Sequence, residues 1–301
     1  MSRTLFIDST PDIDRVWQQV HGPGDIAIAV NMGPVGEGDI PATVAGYETV
    51  INDATYFNEA TLKHCSGLRH IVFLGTGAAS FVDLAAAQRL GIKVSTIGGY
   101  GDTTVAEHAM GLVFAAARQI ATMHGIVRSG GWRPMQGMEL KGKTLGVVGL
   151  GGIGREMARI AQGVGLKVIA FNRSTVAGAA VPMMPIDELL ARSDIVSLHL
   201  ALNDATRGFL DRARLEKAKP GVIVVNTARA GVVDEPALLD LLRSGHIGHY
   251  ATDVFAKEPV PADEPLLKLE NVTLTAHAGY NTPEASMTMY RRAIDLAAAG
   301  P

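Results

Sequence analysis

Short apolar runs alternate with segments of helical periodicity along almost the whole chain. In the first hundred residues the strand-like runs fall at 4–7, 26–30, 49–51, 70–74 and 93–95. From Lys143 the rhythm sharpens, with runs at 144–148, 168–171, 195–198, 222–226, 250–254 and 272–275. Helical patterns lie between them. One spans 81–90 and stops at Gly91; a long apolar one at about 105–123 opens at Thr103 or Thr104; others cover 153–163, 235–244 and 282–299. Strands alternating with helices in this way predict an α/β fold built on parallel sheets. The cluster Gly98-Gly99-Tyr100-Gly101-Asp102 breaks the pattern and is a candidate hinge. The six later strands have the spacing of a complete doubly wound, dinucleotide-binding sheet. The last helix needs an apolar partner, and the first domain is the expected one. The predicted domains are therefore 1–100 with 281–301, and 101–280.

Composition agrees with two soluble domains. The chain has 301 residues, 47% apolar and 19% charged, with a formal net charge of -3. That length exceeds one ordinary core. The charge balance predicts neither a nucleic-acid footprint nor attraction to anionic lipid. No apolar run reaches the roughly 18 residues of a membrane helix. The start, Met1-Ser2-Arg3-Thr4-Leu5-Phe6-Ile7-Asp8, reads as a strand beginning at once and not as a signal peptide. Cys65 is the one cysteine. A lone thiol has no internal disulfide partner, so a reducing, cytoplasmic setting is expected. No metal-ligand pattern stands out.

The sharpest local signal is Val147-Val148-Gly149-Leu150-Gly151-Gly152-Ile153-Gly154. It places G-x-G-x-x-G directly after an apolar strand and at the start of a helical pattern, the context that dinucleotide binding requires. Gly149 permits the tight turn, Gly151 lets backbone approach a pyrophosphate, and Gly154 lets helix and strand pack closely. Free N–H groups at Gly152 and Ile153 would face the phosphates. The simpler reading is an ordinary strand-to-helix glycine turn. At the end of the second strand stands Phe171-Asn172-Arg173-Ser174, where a carboxylate would bind a ribose 2′-hydroxyl and select NAD. Asn172 does not repel a 2′-phosphate, and Arg173 and Ser174 offer a charged fork and a hydroxyl. NADP is the expected cofactor, with NAD the alternative. Arg173 as a solvated surface charge is the plainer reading.

Three further residues follow successive strands: Arg229, Glu258 and His277. Ligands bind beyond the carboxyl ends of such sheets, so residues distant in sequence can converge there. Reduction of a 2-oxo acid needs a cation for the carboxylate, a proton donor beside the ketone oxygen, and a group that keeps the donor charged. Arg229, planar and always charged, suits the first. His277 suits the second, since imidazole titrates near working pH. Glu258 suits the third. Taken singly, Arg229 could pair with Asp234 or Glu235, Glu258 could be a loop charge, and His277 a hydrogen-bonded strand-end residue.

These features resemble the D-isomer-specific 2-hydroxyacid dehydrogenase family, in particular its glyoxylate/hydroxypyruvate reductase-like members. The resemblance rests on Val105-Ala106-Glu107-His108, the 149–154 loop, Val196-Ser197-Leu198-His199-Leu200, the 226–235 stretch, the 253–259 stretch and His277-Ala278-Gly279. It implies a Rossmann NAD(P)-binding domain and a smaller, flavodoxin-like substrate domain. It implies an Arg229–Glu258–His277 triad and Asp253 near the nicotinamide carboxamide. Thr227 and Ala228 would line the cofactor, with His199 beside it. Gly75-Thr76-Gly77 would offer backbone N–H groups to the substrate carboxylate, although the loop after Gly77 is one residue longer than the common pattern. A cleft closing about the hinge and a homodimer joined through the 105–130 arm are implied as well. The expected function is interconversion of a small 2-oxo acid (glyoxylate, hydroxypyruvate or pyruvate) and its D-2-hydroxy acid, in the reductive direction. The alternative is a dinucleotide-bound sensor or corepressor-like protein without turnover. Glu258 argues against a formate dehydrogenase, which lacks the acid partner of the histidine.

Overall fold

The alternation of apolar runs and helices is realised as two parallel sheets, each in its own compact unit. A computed structural model describes residues 3–301. The strand expected at the chain start begins at Thr4; Met1 and Ser2 lie outside the described residues. One unit comprises the chain up to Tyr100 together with Asn281–Pro301, and the other is Gly101–Tyr280.

In chain order the first unit holds β1 (Thr4–Ser9), α1 (Pro11–Val20), β2 (Ile28–Met32), α2 (Ile40–Thr43), β3 (Thr49–Asn52), α3 (Glu59–His64), β4 (His70–Phe73), α4 (Leu84–Arg89) and β5 (Lys93–Thr96). The second holds α5 (Asp102–Ala117), α6 (Ile120–Arg128), β6 (Thr144–Val148), α7 (Gly152–Val164), β7 (Lys167–Phe171), α8 (Ile186–Arg192), β8 (Ile195–Leu198), α9 (Arg212–Leu215), β9 (Val222–Asn226), α10 (Glu235–Arg243), β10 (Ile247–Thr252) and β11 (Val272–Leu274). The chain then returns to the first unit as α11 (Pro283–Ala299).

The first sheet has the order β2-β1-β3-β4-β5, with Phe6 opposite Val30 on one side and Ile51 on the other. Side chains alternate across it. Leu5, Ile7, Val50 and Ile71 join one core with Leu62 and Ala86. Phe6, Ile51 and Val72 join the other, which α1 and α11 cover with Trp17, Met289, Tyr290 and Ile294. Trp17 stands between Phe6 and Tyr290, with ring centroids 5.0 and 5.8 Å away. The final helix belongs to this unit because its buried stripe completes that core.

One expected helix is shorter than its periodicity suggested. Residues 81–90 carry helix only from Leu84, capped by Asp83, whose side chain accepts from Ala86 N. Phe81 and Val82 instead pair with Phe57, since Phe57 N donates to Phe81 O and Asp83 N to Phe57 O. The long apolar helix expected at 105–123 likewise begins earlier, at Asp102, and breaks at Gln119, which has φ 55°. Its last carbonyl, that of Ala117, accepts from Met138 N at 2.7 Å, so the returning chain ends α5.

The second sheet has the order β11-β10-β9-β8-β6-β7. Its six strands are those the pattern marks, although β10 starts at Ile247 and leaves the sheet after Thr252. Beyond β7 lies one further pairing that the pattern does not reveal, the isolated bridge Ala170–Met183. Pro182, whose carbonyl accepts from Ala170 N, has no N–H to extend it. The chain reverses direction across the sheet between β6 and β8, so the ligand crevice of such a fold falls at their carboxyl ends. Both faces are covered, one by α5 and α7, the other by α8 and α10.

Candidate active site

At the switch point between β6 and β8 the glycine loop is shaped by what surrounds it. Gly149 has φ 98°, and a side-chain carbon there would fall 2.5 Å from the carbonyl oxygen of His199. Gly154 sits against the Gly149 carbonyl, with no room for a methyl group. Gly151, the residue before α7, faces open space. This is the cradle a pyrophosphate needs: a turn only glycine adopts, an unobstructed approach, and the N–H groups of a 13-residue helix beyond it. Ile153 contributes backbone there, while its side chain packs into the core under α5 and α7. Gly152 is constrained from another direction, because the Asp102 carboxylate occupies the space beside its Cα. No local motif points to Asp102, which arrives from the start of α5.

Two buried polar atoms without a partner end adjacent strands beside this loop. His199 follows β8, with Nε2 2.9 Å from Ser197 Oγ and Nδ1 unpartnered. Burial pushes the His199 ring down to about 4, so it stays neutral. Thr227 follows β9, and its hydroxyl is buried and unpartnered. Buried polar groups are normally satisfied, so these two atoms together with the open cradle fit a dinucleotide lying across the strand ends. Asn172, just after β7, accepts from Leu150 N at 3.1 Å and donates to Ser174 O and Oγ. It ties the glycine loop to the 172–174 turn. Arg173 in that turn is exposed, with no hydrogen bond or ion pair among the described residues.

Of the three strand-end residues, the fold joins two directly. His277 Nδ1–H donates to Glu258 Oε2 at 2.6 Å, while Glu258 Oε1 accepts from Phe255 N at 2.8 Å. This bond leaves Nε2 as the atom for proton exchange, and the Tyr280 ring meets the imidazole edge-on. His277 has φ 51°, a conformation uncommon outside glycine, and strain of this kind clusters at functional sites. Arg229 follows β9 and donates from Nη1 to the Ala228 carbonyl at 2.7 Å. It forms no ion pair with Asp234 or Glu235 among the described residues. Asp234 instead caps α10. Ala228 N is held by Asn226 Oδ1, and Asn226 Nδ2 donates to Arg229 O and meets Tyr250 OH. Asn226 is thus the brace of the Arg229 turn, visible in sequence only as one polar residue ending an apolar run.

Asp253 lies at the end of β10, buried and densely bonded. Its carboxylate accepts from Thr275 Oγ1 at 2.6 Å, Ala278 N at 3.0 Å and Gly279 N at 2.8 Å, with His108 Nε2 at 3.3 Å. Burial pushes this acid upward, yet the hydrogen bonds from His108, Thr275 and the two backbone amides outweigh it and hold the carboxyl down to about 2. Gly75, Thr76 and Gly77 follow β4 in the other unit, Gly75 with φ 140°.

The family profile described as "D-isomer specific 2-hydroxyacid dehydrogenase, NAD binding domain" matches residues 110–279. The chain is 39% identical over 242 residues to the hydroxypyruvate reductase of Thermotoga maritima, covering 78% of each. It is 36% identical over 253 residues to the D-3-phosphoglycerate dehydrogenase of Archaeoglobus fulgidus, covering 82% of this chain and 48% of that one. The chain thus spans about half the length of several curated relatives it matches. The fold is similar to that of the pyruvate reductase of Chlamydomonas reinhardtii, with TM-score 0.85, 28% identity, and 98% and 95% of the two chains covered.

Proposed function

The chain belongs to the D-isomer-specific 2-hydroxyacid dehydrogenase family, and we propose that it reduces a small 2-oxo acid to the D-2-hydroxy acid with NADPH. The observation that carries this reading is the 2.6 Å His277–Glu258 bond, which leaves Nε2 free beside a sheet that ends in a dinucleotide cradle. The nicotinamide, when bound, supplies the hydride. His277 Nε2–H gives a proton to the ketone oxygen as the alkoxide forms, and Glu258 compensates the charge on the ring and fixes its tautomer. Arg229 keeps N–H donors beyond the one spent on Ala228, and its planar fork suits a carboxylate. Thr227, Ala228 and His199 line the cofactor. Asp253 belongs with that group through the loop it holds. Gly75, Thr76 and Gly77 are proposed carboxylate donors from the first unit.

NADPH is favoured by what stands after β7. The Asn172 amide is committed to Leu150 and Ser174, so nothing there repels a 2′-phosphate. Arg173 has its whole guanidinium available. Asn172→Asp with Arg173→Ala is expected to shift the preference toward NADH by about 10–100-fold, the value of one or two charge-assisted hydrogen bonds. The ratio of kcat/KM for the two cofactors measures it, and an unchanged ratio would assign Arg173 to solvent.

Glyoxylate, hydroxypyruvate and pyruvate are the proposed substrate class. The activities named for the Thermotoga and Chlamydomonas proteins support that choice. A homodimer is part of the same proposal, supported by large apolar side chains exposed along α5, α6 and the segment after them, Phe114, Ile120, Val127 and Trp132. A cytoplasmic setting is supported by the single cysteine, whose buried thiol is pushed up to about 11 by burial. Among the described residues no single helix is long and apolar enough to cross a membrane. The deciding experiment follows oxidation of NADPH and NADH by purified protein across a panel of 2-oxo acids, with chiral analysis of the product. Turnover to a D-2-hydroxy acid is expected. Tight cofactor binding with no turnover across the panel would overturn the reading.

A further inference from the structure

We propose that His108, on α5, is a positioning residue that holds the proton donor His277 in place through Asp253 and Thr275. The proposal rests on the reading of His277 as general acid. His108 Nε2 lies 3.0 Å from Thr275 Oγ1 and 3.3 Å from Asp253 Oδ1. Thr275 Oγ1 is itself 2.6 Å from Asp253 Oδ1. A carboxylate only accepts, so the threonine hydroxyl spends its hydrogen on Asp253. The hydrogen between His108 and this pair therefore comes from the ring, and Nε2 is its donor.

The arrangement grips the donor loop on both sides of His277. Thr275 precedes it by two residues. Ala278 and Gly279, which follow it, give their N–H groups to the two oxygens of Asp253. Between these anchors His277 keeps its left-handed backbone at φ 51°, a conformation that persists only where the surroundings over-determine it. Gly279 completes the fit: a side-chain carbon there would fall 3.0 Å from Asp253 Oδ2 and 3.4 Å from His108 Cδ2. His108 is the one ring in the cluster and the only member contributed by a helix. It ties a loop beyond the sheet edge to α5, which packs against β9, β10 and β11. A buried carboxylate deprived of one donor keeps its desolvation cost and loses part of its compensation. The loop then relaxes, and the His277 ring moves relative to Glu258 and to the ketone it protonates.

His108 touches no reacting atom in this scheme, so its loss should appear chiefly in kcat and in the state of the His277 ring, with a smaller change in cofactor affinity through Asp253. His108→Ala is expected to lower kcat by about 10²-fold, the cost of displacing a catalytic group by about 1 Å. The dissociation constant for NADPH should change far less than kcat. In the same variant the ring nitrogen signals of His277, read by NMR, should move from their wild-type positions. His108→Gln restores an N–H donor and should recover most of the rate and the signals. Wild-type kcat and wild-type His277 signals in His108→Ala would overturn the proposal, as would a glutamine variant no better than the alanine one. Should His108→Ala fail to fold, Thr275→Val removes the shared hydroxyl and leaves the ring in place. It should show the same loss of rate and the same spectral change, and wild-type behaviour there overturns the proposal. A wild-type protein without turnover would remove the dehydrogenase reading alone. The NMR comparison still decides whether His108 positions His277.

Discussion

Replacing His277 with alanine is expected to lower kcat for 2-oxo acid reduction by about 10²–10⁴-fold, the range contributed by a positioned general acid. NADPH affinity should hold, since the ring is bonded to Glu258 and meets Tyr280 edge-on, with no hydrogen bond to the glycine loop among the described residues. Glu258→Gln is the informative companion. Glutamine preserves an acceptor for His277 Nδ1–H and loses the charge that compensates the imidazolium. Its rate loss should be smaller, because the ring keeps a hydrogen-bond partner at Nδ1. Phe255 N also donates to Glu258 Oε1, an acceptor that His277→Ala keeps and that glutamine, whose one acceptor oxygen is given to His277, does not. Steady-state kinetics, with cofactor titration alongside, measures both effects. A His277→Ala protein within a few-fold of wild type would remove the histidine from the chemistry and leave the fold assignment untouched.

Acid instability is the second large effect expected. His70 and His249 are buried, one in each unit, with Nε2 bonded to Ser95 Oγ and Thr273 Oγ1 and with Nδ1 unpartnered. Burial pushes each ring down to about 4, with Lys93 adding to the effect at His70. Above pH 6.5 both rings are neutral whether the chain is folded or not, and they add no pH dependence. Between 6.5 and 4 the unfolded chain takes up a proton at each site while the folded chain does not. Stability is therefore lost as pH falls through that window, by up to about 3 kcal/mol per ring, and no further below 4. His199 adds a third such group in the cofactor-free protein. Against a usual total of about 5–15 kcal/mol this suffices for unfolding. Tm should fall steeply from pH 6.5 toward 4, with proton uptake on unfolding seen by calorimetry. His70→Asn and His249→Asn should flatten the dependence even where they lower Tm at neutral pH. A Tm constant across that window would rule the mechanism out. Asp253, held down to about 2, works in a lower window and loses its contribution only below about pH 4.

The alternation of apolar runs, read with the rule that ligands bind at carboxyl strand ends, determined much by itself. It marked all eleven strands of the described residues, the glycine loop after β6, and Arg229, Glu258 and His277 after β9, β10 and β11. These are legible because their cause is local or topological: side-chain periodicity, a turn that needs glycine, and the fixed polarity of a parallel sheet. Where a second segment of chain decides the outcome, the pattern fell short. Phe81 and Val82 look helical by spacing, but Phe57 takes the Phe81 carbonyl and the Asp83 amide on either side of Val82. The apolar run through α5 and α6 looks continuous, but Met138 takes the Ala117 carbonyl. The Met183 bridge is one residue long and leaves no run to see. The same holds at the site. Asp102 pressing on Gly152, Asn226 bracing Arg229, and His108 with Thr275 closing on Asp253 are hydrogen-bonding or steric partners brought together by folding, His108 across more than a hundred residues. A buried polar group takes whichever partner the packed core presents to it. Residue type and spacing could name the groups proposed for the chemistry, but only the tertiary structure decided what holds them.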